Sequence, residues 1–246
     1  MSVPIFKHAQ GTPPGTKQVT PLPISLTQLN LNEVLRYMGT PADQASPEVR
    51  ALAEECAQTM LAAVRPRWTW RLFDLLPTAD GAQLSGGPLL PGQDLKRHLQ
   101  GCRRAALFCA TLSAQADALI RQAEHRDMLR ALALDCCATA AAEELCDQIE
   151  GEIQAQFPGC FFPFRYSPGY GDLPLTLQGT LLSLLDAPRK IGLCASSSHI
   201  LTPRKSVTAI LGIADHPVDQ TTRSCVGCPA HDSCQYRKSG GHCGIS

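Results

Sequence analysis

An alanine-rich stretch, residues 114–157, constrains the fold more than any other part of the chain. It contains no proline and no glycine before Gly151. Alanine has the highest helix propensity of all residues, and proline and glycine have the lowest. The stretch therefore predicts one or two long helices, around which the rest of the chain must pack.

Strand-like segments are interspersed irregularly with helical ones. Residues 68–73 alternate in type, and residues 105–112 are apolar enough for a buried strand. Residues 191–194 and 206–213 also read as strands, and Ser46-Pro47 opens a helix with a favoured N-cap and a proline at its first position. Because no repeated βαβ unit is visible, the pattern predicts an α+β fold: a single domain whose mixed or antiparallel sheet is flanked by helices.

Charge and hydropathy exclude several classes of protein. Twenty-two basic residues balance 22 acidic ones, so no overall field favours nucleic acid or an anionic membrane. The N-terminus lacks the charged-then-apolar order of a signal peptide, and no apolar run reaches the roughly 18–20 residues that cross a bilayer. We expect a soluble, cytoplasmic protein with no nucleic-acid or membrane partner.

The distribution of proline and cysteine suggests where the domain begins and ends. Residues 1–24 are rich in proline and predict a flexible arm, residues 25–215 form the domain, and residues 216–246 form a cysteine-rich tail. In a reducing compartment the 12 cysteines of the chain are thiols rather than disulfides. We interpret most of those before the tail as small core residues.

The segment 165–175, Arg-Tyr-Ser-Pro-Gly-Tyr-Gly-Asp-Leu-Pro-Leu, has neither helical nor strand periodicity. Gly169 and Gly171 allow backbone conformations closed to other residues, and the two prolines fix φ on either side. Such a loop lets main chain approach a ligand while the Arg165 guanidinium holds an anionic group. The alternative is a rigid surface turn with an exposed arginine.

Four cysteines in the tail have the spacing of a metal site: Cys225, Cys228, Cys234 and Cys243. The surrounding residues are too polar to form a core, so a metal would organise the segment. Four thiolates suit structural zinc or an iron–sulfur cluster, and spacing does not distinguish them. A tail of free thiols is the alternative, and a redox Cys-x-x-Cys lacks the strand-to-helix context that it requires.

Four blocks of sequence resemble one family. The first block is the segment 98–102 with 111–117, where Ser113 stands in place of a family glycine. The second is the helix that contains Glu143, and the third is the segment 165–175 with its Arg-x-x-x-Gly-Tyr signature. The last block joins residues 191–193 and 201–210. In this order the blocks resemble the S-adenosylmethionine-binding activation domain of cobalamin-dependent methionine synthase, in its short, free-standing form.

The resemblance implies a function in methionine biosynthesis. The family binds S-adenosylmethionine beside a cobalamin-carrying domain and supports reductive methylation of inactive cob(II)alamin, with an electron from a low-potential donor protein. The chain would then be an activation module, or subunit, of a cobalamin-dependent methyltransferase. The alternatives are a non-catalytic protein that senses S-adenosylmethionine or assists assembly, and an electron-transfer protein built around the tail.

The resemblance also implies roles for particular residues. Arg165 would pair with the carboxylate of the methionine moiety, and Ser167 and Gly169 would offer backbone groups to the adenosine. Tyr170 would supply an aromatic face or hydroxyl, and Glu143 would contact the amino group or ribose, unless it is simply a solvated helix residue. No side chain is expected to act as a catalytic acid or base, because methyl transfer from a sulfonium to cobalt moves no proton.

Overall fold

The structure is a computed structural model and describes residues 17–18 and 22–218. Its main sheet is built from six strands: β1 (Lys17–Gln18), β2 (Arg67–Pro77), β3 (Gly81–Leu84), β4 (Leu89–Pro91), β5 (Arg104–Thr111) and β8 (Ser206–Ile213). The order is β4-β3-β2-β5-β8, β1 also pairs with β2, and every pair is antiparallel. Two short strands, β6 (Cys194–Ala195) and β7 (Leu201–Thr202), form a separate antiparallel pair. The α+β prediction is confirmed.

Two layers of helices cover the two faces of this sheet. The described helices are α1 (Leu31–Tyr37), α2 (Pro47–Ala63), α3 (Gln93–His98), α4 (Ala114–Glu124), α5 (Met128–Gln154), α6 (Leu177–Leu185) and α7 (Ala187–Ile191). The alanine-rich stretch thus forms two helices, α4 and α5. Helices α1, α2, α4 and α5 lie in one core with Trp70 and Phe108, whereas α3, α6 and α7 lie in the other with Phe73 and Leu107.

The alternation of side chains along the strands explains these two cores. Successive residues of a strand point to opposite faces, so Phe108 and Leu107 enter different cores. Because helices cover both faces, β5 is buried along almost its whole length and reads as a continuous apolar run. None of the described helices is long and apolar enough to cross a membrane.

The predicted start of one helix agrees with the structure, and one strand was misassigned. Ser46 caps α2 through its hydroxyl, which accepts from the Val49 N–H at 3.3 Å. The predicted strand at 191–194 is wrong, because Ile191 ends α7 and only Cys194 of that segment belongs to a strand. The domain limits at residues 24 and 215 stay predictions, as most of the predicted arm and tail lies outside the described residues.

Ser113, the position where the related family has glycine, adopts a backbone conformation that favours glycine. Its φ of 74° and ψ of 172° place it in a region that residues with a Cβ rarely occupy. Its hydroxyl accepts from the Arg65 N–H at 3.2 Å and donates to the Leu112 carbonyl. The serine therefore combines a strained backbone with a local hydrogen bond.

We expect Ser113→Gly to be more stable than Ser113→Ala by about 1–2 kcal/mol, since both variants lose the hydroxyl but only glycine relieves the strain. Urea unfolding of the two variants measures the difference. Equal stability of the two would contradict the strain at this position.

Candidate functional site

The motif loop, residues 167–173, begins where the chain leaves the edge of β8. Tyr166 exchanges two main-chain hydrogen bonds with Ile210, of 2.9 and 2.8 Å. Pro168 has no N–H with which to continue that ladder, and the chain turns away. The loop then closes on itself, because the Gly169 N–H donates to the Leu173 carbonyl at 2.8 Å. Gly169 and Gly171 both have positive φ, of 93° and 49°, which the sequence predicted from their residue type.

The loop presents polar main chain and one aromatic ring at the surface. Ser167 is half-buried and its N–H and hydroxyl make no hydrogen bond to other described residues; the Gly169 carbonyl likewise accepts none. Tyr170 is 52% exposed, and its ring meets the buried Tyr166 ring edge-on at 5.8 Å between centroids. Three of the predicted ligand contacts, Ser167, Gly169 and Tyr170, therefore share one accessible loop.

Arg165 lies on the other side of this segment, against α5. Its Nη1 donates to Asp147 at 2.6 Å and to Glu150, and its Nη2 donates to Glu143. The three acids lie at intervals of four and three residues and so share one face of the helix. The structure thus brings Arg165 together with Glu143, the weaker of the predicted ligand contacts, and adds two acids that the sequence analysis did not single out.

These contacts leave part of the guanidinium available. A guanidinium carries five N–H donors, and the three carboxylates use three of them. The donors that remain are the Nε hydrogen and one Nη2 hydrogen. Nε and Nη2 of a guanidinium can in general hold a carboxylate in two parallel hydrogen bonds, so these are the donors with which Arg165 would meet an anionic group.

Helix α3 supports the loop on the face of the sheet opposite to α5. His98 lies with its Nε2 2.7 Å from the Phe164 carbonyl, and its ring packs on those of Phe164 and Tyr166 at centroid distances of 4.2 and 4.9 Å. Burial lowers the pKa of His98, which favours the neutral ring at this position. Burial, together with the charges of Asp94 and Asp172, raises the pKa of Tyr166 to about 12, so its hydroxyl stays protonated.

Asp172 joins the loop to α3 directly. Its carboxylate accepts from the N–H groups of Gln93 and Asp94, at 2.6 and 3.1 Å, and these are the first two residues of the helix. Sequence reasoning missed this contact and that of His98, although both residues lie within the blocks that carry the family resemblance. Each contact joins residues that are far apart in the sequence, so local sequence patterns do not reveal it.

Residues 169–172 of the candidate site are exposed. Two concave regions lie elsewhere: one of about 480 Å³ against α6 and β2, and one of about 320 Å³ beside the end of α2. Neither is lined by a residue of the motif.

The cysteines of the described residues agree with a structural role. Most are buried, and burial raises the pKa of Cys109, Cys137 and Cys146 to about 12, which keeps these thiols protonated at neutral pH. Residues 22–218 contain no cluster of ligands able to hold a metal ion. The predicted metal ligands Cys225, Cys228, Cys234 and Cys243 lie outside the described residues.

Comparison with known proteins identifies the fold. No family model matches the chain, and no curated protein matches its sequence. Among solved structures it is similar to a MetH reactivation domain bound to AdoHcy: the match covers 96% of this chain and 91% of the other, with a TM-score of 0.61 and 16% sequence identity. The chain is thus an α+β domain with an antiparallel sheet between helical layers. Its fold is that of the MetH reactivation domain, as the sequence resemblance predicted.

Proposed function

We propose that this protein binds S-adenosylmethionine and supports reductive methylation of cob(II)alamin on a cobalamin-dependent methionine synthase partner. The main support is the fold. The similarity to a reactivation domain bound to AdoHcy covers 96% of this chain and 91% of that domain's chain. AdoHcy is what S-adenosylmethionine becomes when its methyl group has been transferred. The Arg-x-x-x-Gly-Tyr loop adds the chemistry of a binding site to that fold.

The ligand's polar groups match the groups that the site leaves available. Its carboxylate would take the two remaining donors of Arg165. Its ammonium group would approach Glu143, whose side chain is 48% exposed and carries the opposite charge. The adenosine would meet the N–H and hydroxyl of Ser167, the carbonyl of Gly169 and the exposed ring of Tyr170.

The open geometry suits a methyl acceptor that belongs to another protein. One electron from a low-potential donor protein reduces Co(II) to Co(I), which takes the methyl group and releases AdoHcy. Methylation follows reduction and removes the scarce Co(I), so it draws the unfavourable reduction forward. This chain would position the sulfonium, and the cofactor would carry the chemistry. We propose a cytoplasmic location, where both partners would be found.

The first test is calorimetric titration of the protein with S-adenosylmethionine. We expect a single site, and we expect AdoHcy to compete for it. The absence of binding would overturn the proposed function. A protein that only senses S-adenosylmethionine would bind it but would not promote methylation of cob(II)alamin.

We further propose that Cys225, Cys228, Cys234 and Cys243 hold one zinc ion or one iron–sulfur cluster. Val218, the last described residue, lies beside Gly101, shortly after α3. The tail therefore departs from the end of the helix that supports the motif loop. A cluster would offer a route for the electron to cobalt, whereas zinc would order the tail.

Replacing Cys225 and Cys228 together by serine should abolish the metal content, because serine is a poor substitute for a thiolate ligand. Metal analysis of protein purified without oxygen measures about one zinc or one cluster per chain in the unmodified protein. Brown protein that bleaches with dithionite indicates a cluster, and colourless metal-bound protein indicates zinc. Metal-free protein with full reactivation activity would contradict the proposal.

A further inference from the structure

The contact between the motif loop and α3 replaces a cap that the helix lacks. The first N–H groups of a helix have no partner within it, and a side chain at the N-cap usually accepts from them. The N-cap of α3 is Gly92, which has no side chain to do so. The Asp172 carboxylate takes that role from a distant part of the chain, by accepting from Gln93 and Asp94.

Glycine allows this close approach on both sides of the contact. A Cβ on Gly92 would lie 2.4 Å from Asp172 Oδ1, and one on Gly171 would lie 2.4 Å from the Tyr166 hydroxyl and 2.6 Å from Asp94 Oδ2. Contacts this short do not occur between real atoms of these types. The loop and α3 are therefore fitted to each other at the position of Asp172.

The neighbouring residues show why the contact matters for the loop. Leu173 is buried and anchors the end of the loop in the core, while residues 169–172 are exposed. Ser167 and Gly169, the proposed contacts of the adenosine, lie a few residues before Asp172. Without the hydrogen bonds of Asp172 the exposed residues would sample more conformations, and the ligand would have to order them.

We propose that Asp172 is a positioning residue for the ligand loop: by capping α3 it holds residues 167–173 in the conformation that binds S-adenosylmethionine. This inference rests on the proposed function. The role needs an acceptor oxygen and not a charge, since asparagine serves as well as aspartate at an N-cap. Asp172→Asn should therefore retain binding, and Asp172→Ala should not.

The experiment compares four proteins by calorimetric titration with S-adenosylmethionine: the unmodified protein, Asp172→Ala, Asp172→Asn and Asp127→Ala. Asp127 is a matched control, because it caps α5 by accepting from Leu129 and Arg130 at 3.0 and 3.1 Å. Loss of a cap corresponds to about a 2–30-fold change in an equilibrium constant. We expect this weakening of affinity in Asp172→Ala alone, with Asp172→Asn within twofold of the unmodified protein.

A second variant disrupts the same contact from the side of α3, at its N-cap Gly92. Gly92→Ala places a methyl group where the Asp172 carboxylate lies, so it should weaken binding as Asp172→Ala does. Combining the two substitutions should cause little further loss, because both remove one contact. Additive losses in the double variant would contradict the proposal.

Hydrogen exchange without ligand separates this inference from the proposed function. Residues 167–173 should exchange faster in Asp172→Ala than in Asp127→Ala or the unmodified protein. Unchanged exchange, or unchanged affinity in Asp172→Ala, would overturn the positioning role. Equal weakening of affinity by Asp127→Ala would also overturn it, since the effect would then be one of general stability. Failure of the unmodified protein to bind S-adenosylmethionine would overturn the proposed function, while the exchange result would still decide the role of Asp172.

Discussion

Replacing Arg165 by alanine should weaken binding of S-adenosylmethionine by about 10–150-fold. A charged hydrogen-bonding pair of this kind contributes roughly 1.5–3 kcal/mol, which corresponds to that range. The reason is structural: the donors of Arg165 that α5 leaves available are the ones that fit a carboxylate in two parallel bonds. Calorimetric titration of the variant and the unmodified protein measures the change.

The same substitution should also destabilise the domain. Arg165 is 8% exposed and forms ion pairs with three acids of α5, of which Glu150 is itself largely buried. Removing one partner of a buried ion pair is strongly destabilising, because it leaves charge without compensation. Arg165→Lys is therefore the sharper variant: it keeps a positive charge beside α5 but cannot form two parallel hydrogen bonds with a ligand.

A control on the same helix tests whether the loss is specific. Arg130 pairs with Glu55 at 2.9 Å, across α5 and α2, near the opposite end of α5 from Arg165's partners. Arg130→Ala should leave the affinity for S-adenosylmethionine unchanged. If Arg165→Lys and Arg165→Ala also bind as the unmodified protein does, Arg165 is not part of the site.

Local patterns in the sequence predicted the elements that depend on local physics. The strand at 206–213 agrees with the structure at both ends, and α2 begins directly after Ser46 as its N-cap pattern predicted. The apolar run at 105–112 predicted a strand buried on both faces, because no alternation was present to expose one of them. These features follow from residue type and periodicity alone.

Features that depend on tertiary contact were not visible in the sequence. One such feature is the antiparallel hairpin of β3 and β4, which the sequence analysis did not predict. Helix α7 runs from Ala187 to Ile191 and ends at Gly192, which has a left-handed backbone, so the segment 191–194 is not one continuous strand. The cap of α3 by Asp172 joins two distant segments, which no local pattern reveals.

The acids around Arg165 could be predicted from the sequence only in part. Glu143, Asp147 and Glu150 recur at intervals that place them on one face of a helix, so the sequence contained a signal for an acidic stripe. It contained no signal that the stripe would meet Arg165. The sequence analysis expected Arg165 to hold an anionic ligand, and in the structure its guanidinium is already paired with three acids of α5.

The central prediction is that this protein transfers no methyl group to ordinary small acceptors but enables methylation of cobalt held by another polypeptide. Neither the proposed chemistry nor the described site requires an acid or base, since the methyl group moves from a sulfonium to a metal without proton transfer. Activity should therefore require four components together: this protein, S-adenosylmethionine, a cob(II)alamin-loaded methionine synthase and a low-potential reductant.

The visible spectrum of the cobalamin tests this account most directly. With all four components present, the cob(II)alamin spectrum should convert to that of methylcobalamin, and omission of S-adenosylmethionine should prevent the conversion. Arg165→Lys should slow it at limiting S-adenosylmethionine, whereas Arg130→Ala should not. Equal conversion in the absence of this protein would contradict the reactivation role.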